Sequence, residues 1–414
     1  MYSSNALWRP WVPVVSEEPT LHVVEARGTR VRDATGRWYL DAISGVLNAV
    51  CGHGQEEIIA AATTQMRILT HYDPMVSTHT PAQTLASRLA GLFPDTLGPT
   101  LLVNSGSEAM EAALKIAIEY WHNIGQPRGR FVSLRDGYHG TTALTQQLSG
   151  LPFTVSPWDP AIEVEHVDLP KPSQFLRSSA GRGALTGAFR KVLLEGTPAA
   201  AVVIEPLLGL GGCQVLPDGF LTDLRSICDE CGTLLVIDEI FTGFGRTGRM
   251  FGFEHESITP DIVTCSKGIT SGYVPLASVT AKRQLHESYI NEPIAHGLRY
   301  GHTTGGHAVA AAVANTVLDI FERDHLVQNS KERGAELLNL LQATLSKRED
   351  VVDVRGLGLV VGIEMQSDEA AAKLAERAMR NGVLVRHERG LVRIAPPLTV
   401  SERETRDIAH AFAS

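Results

Sequence analysis

Residues 260–279 read PDIVTCSKGITSGYVPLASV. Two apolar runs, one through Ile262 and Val263 and one over Leu276–Thr280, flank glycines, small hydroxyls and a single lysine, Lys267. The pattern predicts a buried strand, a turn and a second strand, with Lys267 at the C-terminal end of a segment that reads as core. Asp261 is the only acid within ten positions of it. Comparable short runs recur at Thr100–Val103, Phe131–Leu134, Ala200–Ile204 and Leu234–Ile237, separated by helical stretches or long connections. That rhythm predicts an α/β fold with a mainly parallel central sheet flanked by helices. Ligands of open parallel sheets sit beyond the carboxyl ends of the strands, so the chemistry is expected in the loops that follow these runs.

Composition sets the outer bounds. A chain of 414 residues is long for one core, which predicts a large domain and a smaller one. Residues 20–43 alternate apolar and polar with turn signals at Gly28 and Gly36, an antiparallel meander. From 325 onward a long amphipathic helix leads into further strands and helices. The expected layout is therefore 1–55 as the N-terminal part of a small α+β domain, 56–324 as the large domain, and 325–414 as the C-terminal part of the small one. A formal net charge of −9 argues against nucleic acid or an anionic membrane as partner. Cys228 and Cys231 form a C-x-x-C in a stretch that reads as a helix running into a strand, with no second pair at zinc spacing, so no metal site is expected. The first twenty residues have no basic segment followed by an apolar one, and no run approaches the ~18 apolar residues of a membrane span. A cytoplasmic location is the expectation.

Three strand ends carry the candidate chemistry. After Thr100–Val103 comes NSGSEAMEAALKIAIEYW, in which Met110, Ala113, Leu114, Ala117, Ile118 and Trp121 fall at helical spacing, predicting a helix over 107–121. Ser105 and Glu108 have capping-box spacing, and a helix N-terminus with Gly106 and two serines suits a phosphate. A simple well-capped helix explains the segment equally well. Leu234–Ile237 ends in Asp238–Glu239, where a half-desolvated carboxylate needs a cation and a protonated ring nitrogen would serve; a surface acid pair is the plainer alternative. Lys267 at a strand end, poorly paired, is a nucleophilic amine whose natural covalent partner is an aldehyde. A phosphate cradle, an acid for a pyridinium nitrogen and an imine-forming lysine are together the three handles of pyridoxal 5′-phosphate.

Over nearly its whole length the sequence resembles the class III aminotransferases, pyridoxal-phosphate enzymes of fold type I. NSGSEAMEAALKIA is similar to their phosphate-binding turn, which implies that role for Gly106 and Ser107. GYHG resembles the ring-stacking motif, implicating Tyr138 with His139 beside it. IDEIFTGFGRTG implies the pyridine-nitrogen role for Asp238 and the opposite ring face for Ile240; SKGITSGYVPLA implies the Schiff base for Lys267. Glu205 heads the Glu205–Pro206 pair of VVIEPLLGLGGCQVLPDGF. YGHTTGGHAVAAAVAN resembles the segment whose threonine, here Thr303, reaches the phosphate of the neighbouring subunit, implying a homodimer with shared sites. VRIAPPL resembles the segment whose arginine holds a substrate carboxylate, here Arg393, and RGLGLVVGIEM is a further signature. Plainer readings exist: Tyr138 as a packed tyrosine, Arg393 on a solvated strand face, and Thr303 and Thr304 as helix caps.

The resemblance implies ping-pong transamination, from a primary amine or ω-amino donor to an oxo acid or aldehyde, through Lys267, Asp238 and Tyr138. Racemisation or epimerisation of amino compounds on the same scaffold is an alternative, as is the aminotransferase reaction that forms 7,8-diaminopelargonate. Two departures stand out. Leu210 occupies the place where some members carry a second glutamate that neutralises the carboxylate-binding arginine. AISGVLNAVCGHG lacks the paired tryptophans expected of the diaminopelargonate branch, so Val46, Leu47 and Asn48 are expected to line a different pocket entrance.

Overall fold

A computed structural model describes residues 7–13, 21–155, 157 and 160–413. Part of the first twenty residues, on which the reading of the N-terminus rests, lies outside the described residues. Seven strands form the central sheet, in the order Leu97–Val103, Ala277–Lys282, Ile262–Cys265, Leu234–Asp238, Ala199–Ile204, Arg130–Leu134 and Glu163–Val167. Ala199–Ile204 and Leu234–Asp238 lie at its centre and are buried at every residue, the signature of a parallel sheet covered on both faces.

Two features depart from the expected sheet. Ala277–Lys282 runs antiparallel to both neighbours, pairing Thr264 with Val279 and Leu101 with Val279. Its reason is the short connection 266–276: a parallel return needs a crossover of a dozen or more residues, usually a helix, and this loop holds only the 3₁₀ turn Lys267–Thr270. The edge strand Glu163–Val167 was not expected, because it reads EVEHV and buries only its last residue.

The helix expected over 107–121 spans Gly106–Asn123. Ser105 Oγ accepts from the Glu108 N–H, but the Glu108 carboxylate accepts from Asn104 N at 2.8 Å, one residue earlier than a reciprocal capping box requires. The meander appears as Val23–Arg27, Arg30–Asp33 and Trp38–Asp41, and Trp38–Asp41 pairs in parallel with Val383–Leu384 near the other chain end. The helix Leu326–Leu345 follows, and a second four-stranded sheet orders Val351–Gly356, Val361–Met365, Leu391–Ile394 and Arg386–Glu388. Arg246, wholly buried, ties these parts together by donating to the carbonyls of Leu359 and Pro396 and to Ser44 Oγ. Cys228 is buried in the helix Phe220–Glu230, and no metal-binding cluster occurs among the described residues. No described helix is long and apolar enough to cross a membrane.

Candidate active site

A cavity of about 700 Å³ opens over the carboxyl ends of the parallel strands. Nine of the ten sequence-predicted site residues line it: Gly106, Ser107, Tyr138, His139, Glu205, Asp238, Ile240, Lys267 and Arg393. Each of the first eight follows or closes a strand of the sheet. Strand register explains their convergence, since Ile204 pairs with Ile237, leaving Glu205 beside Asp238, while Asp238 pairs with Thr264, three residues before Lys267.

Asp238 is held by two donors. One carboxylate oxygen meets His139 Nδ1 at 2.8 Å and the other accepts from Ile240 N at 3.0 Å. His139 and Asp238 are 1% and 3% exposed, and His139 Nε2 has no partner of its own. Glu205 accepts from Tyr138 N and Gly209 N, both at 3.0 Å, fixing the loops on either side. Burial pushes its carboxyl up to about 6, with His139 opposing and Asp238 adding. Burial likewise raises the Tyr138 phenol, with help from Asp238 and Glu205.

Lys267 has a left-handed φ of +34°, a strained backbone for a lysine. Its Nζ stands 5.6 Å from the ring centre of Phe241. Protein walls the amine in, although the residue is still reached by solvent through the cavity. Burial lowers its affinity for a proton; the Asp238 and Glu205 charges oppose this, and Arg393 and Arg246 add to it. The free-amine form is thereby favoured relative to a lysine in water.

The Ser105–Ser107 turn opens the helix toward the cavity. A Cβ on Gly106 would lie 3.0 Å from Ile240 Cδ1, and one on Gly140 only 2.7 Å from both Ser107 Oγ and Thr145 Oγ1. Ser107 Oγ also accepts from Thr141 N at 3.2 Å. These close approaches leave a small-residue cradle at a helix N-terminus, suited to a phosphate. With an acid fixed for a ring nitrogen, an amine of lowered basicity and an unpartnered buried imidazole nitrogen, the residues present fit pyridoxal phosphate.

Other expectations are corrected. Arg393 is 2% exposed, so it is not on a solvated face; its strand packs inward, and the guanidinium meets Glu388. The cap reading of Thr303 and Thr304 falls, since the helix Ala308–Arg323 has His307 as its N-cap; Thr303 itself is exposed outside this chain's cavity, as a residue serving a neighbouring subunit would be. Val46 and Leu47 line the cavity, whereas Asn48 does not and crowds Gly272 instead. Sequence reasoning missed Trp11, Phe153, Phe241, Arg386, Glu388 and Arg389 as lining residues. Trp11 meets Phe153 edge-on at 5.6 Å, and the Arg389 guanidinium lies 4.3 Å from the same ring. Of these only Phe241 had a detectable signal, its place inside IDEIFTGFGRTG one residue after Ile240.

Residues 12–414 match the profile of the family described as Aminotransferase class-III. An uncharacterized aminotransferase, YhxA, of Bacillus subtilis is 36% identical over 92% of this chain and 88% of its own length. An adenosylmethionine-8-amino-7-oxononanoate aminotransferase of Geobacter sulfurreducens is 32% identical over 96% and 92%. Among solved structures, a PLP-bound amine transaminase from an uncultivated Pseudomonas species superposes with a TM-score of 0.93 at 32% identity, covering 99% of this chain and 98% of that one. Fold, cavity chemistry and relatives converge, and the chain belongs to the class-III aminotransferases, pyridoxal-phosphate-dependent enzymes of fold type I.

Proposed function

We propose that this aminotransferase takes its amino group from a primary amine or ω-amino compound, passes it to an oxo acid or aldehyde, and carries its cofactor on Lys267. The observation that supports the reading most is the shared cavity of Lys267, Asp238 and the Ser105–Ser107 turn. When bound, pyridoxal phosphate supplies an electron sink that stabilises negative charge at the carbon bearing the amine. Asp238, oriented by His139, would keep a ring nitrogen protonated; Gly106, Ser107 and the helix N-terminus would hold the phosphate; Tyr138 and Ile240 would lie against the ring; Glu205 braces the Tyr138 loop. The Lys267 amine would accept the proton from that carbon at Nζ and hand it on to the cofactor rather than return it to the same carbon, and the second half-reaction would run this transfer in reverse. Arg393 holds a substrate carboxylate.

The active unit is a homodimer. Met66, Ile68, Tyr72, Met75 and Val76 form an exposed apolar surface. His79 Nε2 reaches Gly306 O at 2.9 Å and His71 stacks on His307, which sets this segment against the loop bearing Thr303. A partner covering that surface also covers Thr303. We take 1–55 with 325–414 as one domain and 56–324 as the other, which the Trp38–Asp41 and Val383–Leu384 pairing supports. Five free cysteines fit a reducing cytoplasm.

The deciding experiment is borohydride reduction of the holoprotein followed by peptide mass mapping. Cofactor mass on Lys267 is expected, and Lys267→Ala is expected to lose both that label and at least ~10³-fold in turnover while keeping its fold. Label on another lysine, or full turnover in the variant, overturns the assignment.

A further inference from the structure

Lys267 and Ser271 stand at the two ends of the turn that carries the reactive amine, and both have positive φ, +34° and +53°. Neither is glycine, so the turn is strained at both ends, and such backbone persists only where its surroundings over-determine it. Bonds inside the turn close it locally: Ile269 N donates to Ser266 O, and Ser271 N to Gly268 O. Further restraint comes from about 220 residues earlier in the chain. Cys51 N donates to Ser271 Oγ at 2.8 Å, Gln55 N donates to the Tyr273 hydroxyl at 2.7 Å, and that hydroxyl donates to Gly52 O at 3.1 Å. Cys51 and Ser271 are buried. Segment 48–55 is itself pinned from behind, because His53 and Gly28 exchange backbone bonds of 2.8 Å and Val50 O accepts from Leu398 N. Just before it, Val46 and Leu47 form cavity wall, with Leu47 at a φ of +65°.

We propose that Ser271 and Tyr273 are positioning residues, which fasten the Lys267 turn to segment 48–55 and so hold the amine in its strained placement at the cavity. The inference rests on the transaminase reading above, in which Lys267 is the group that reacts. Removing either hydroxyl strips a partner from a backbone N–H, of Cys51 in one case and of Gln55 in the other. It also frees the turn to relax. A lysine returning to negative φ re-aims its Cβ and carries the amine with it, and a misplacement of about 1 Å at a reacting group costs up to about a hundredfold in rate. The cavity wall at Val46 and Leu47 and the brace behind the reactive amine are one continuous piece of chain.

The test is competitive acetylation of the full cofactor-free chain by acetic anhydride between pH 6 and 10, with peptide mass mapping to read each lysine. Tyr273→Phe and Ser271→Ala are each expected to slow acetylation of Lys267 roughly tenfold near neutral pH, because an amine released from its walled position holds its proton more tightly. The other lysines are expected to keep their rates. In holoenzyme each variant is expected to lose roughly tenfold in kcat with the KM for the amine within about twofold. Tyr289→Phe loses a hydrogen bond to Glu119 outside the cavity and is expected to leave Lys267 unchanged. Wild-type acetylation of Lys267 in both variants, or an equal loss in Tyr289→Phe, overturns the proposal. Should Tyr273→Phe fail to fold, Ser271→Ala carries the same expectation alone, and wild-type acetylation there overturns the proposal. Failure of the transaminase reading registers separately, as absence of borohydride-fixed cofactor on Lys267 of the wild-type holoprotein, a result on which the acetylation rates do not depend.

Discussion

His139 and Asp238 make a buried pair in which one carboxylate oxygen is committed to an imidazole and the other to a backbone N–H. A carboxylate so fixed cannot turn away from a cation that docks against it, which is what a protonated ring nitrogen requires. Asp238→Asn keeps the shape and removes the charge. The expected outcome is retained cofactor binding with turnover lowered on the order of a hundredfold or more, measured by steady-state and half-reaction kinetics. A wild-type rate in that variant would remove Asp238 from the mechanism. Lys267 is the opposite case, a cation made reluctant by burial and by Arg393 and Arg246. An unpaired lysine ends a core strand because the fold favours its neutral form and aims it into a cavity. Its place in the cavity was legible from residue type and position, and the same is true of Asp238. Glu388 was not, because nothing in a sequence says which of several surface-type charges will face a buried arginine.

The loop from Glu239 to Phe253 shows how an element is fixed in place. Glu239 is wholly buried and accepts from Thr242 Oγ1 at 2.5 Å and from the N–H groups of Gly252 and Phe253 at 2.9 Å. Burial still outweighs those bonds and pushes its carboxyl up to about 7. The folded state thus holds this proton more tightly than the unfolded chain, whose glutamate titrates near 4.5. The stability it contributes is full below about pH 4.5 and is lost as pH rises through about 7. In Glu239→Gln that slope disappears, so the stability gap between wild type and variant should shrink by about 2–3 kcal/mol from pH 4.5 to pH 8. Urea unfolding at the two pH values measures it, and a gap independent of pH would show that Glu239 stays ionised. Asp238–Glu239 read as a pair in the sequence; the structure sends one into the cavity and the other into the loop's core, since successive residues leave a strand on opposite faces.

At the scale of the whole molecule, Thr303 is the one sequence-predicted site residue absent from this chain's cavity. Its exposure beside an apolar surface is the reason for placing it at a dimer contact. Diluting the enzyme until sedimentation shows monomer should weaken cofactor affinity, and Thr303→Ala in the dimer should weaken it roughly tenfold, the worth of one hydrogen bond to a charged group. Fluorescence titration of the cofactor gives both values. Unchanged affinity in a demonstrated monomer would confine the site to one chain.

The sequence alone determined the apolar strands of the central sheet, the Gly106 helix and the loops that carry Lys267, Asp238 and Tyr138, because apolar period and motif spacing are local properties of the chain; the polar edge strand Glu163–Val167 carried no such signal. Tertiary structure decided the rest. The direction of Ala277–Lys282 depends on how far a short loop can carry the chain. The burial of Arg393 and its pairing with Glu388 depend on which face of a hairpin meets the cavity. Both are consequences of packing distant segments against one another, and no local pattern encodes that packing.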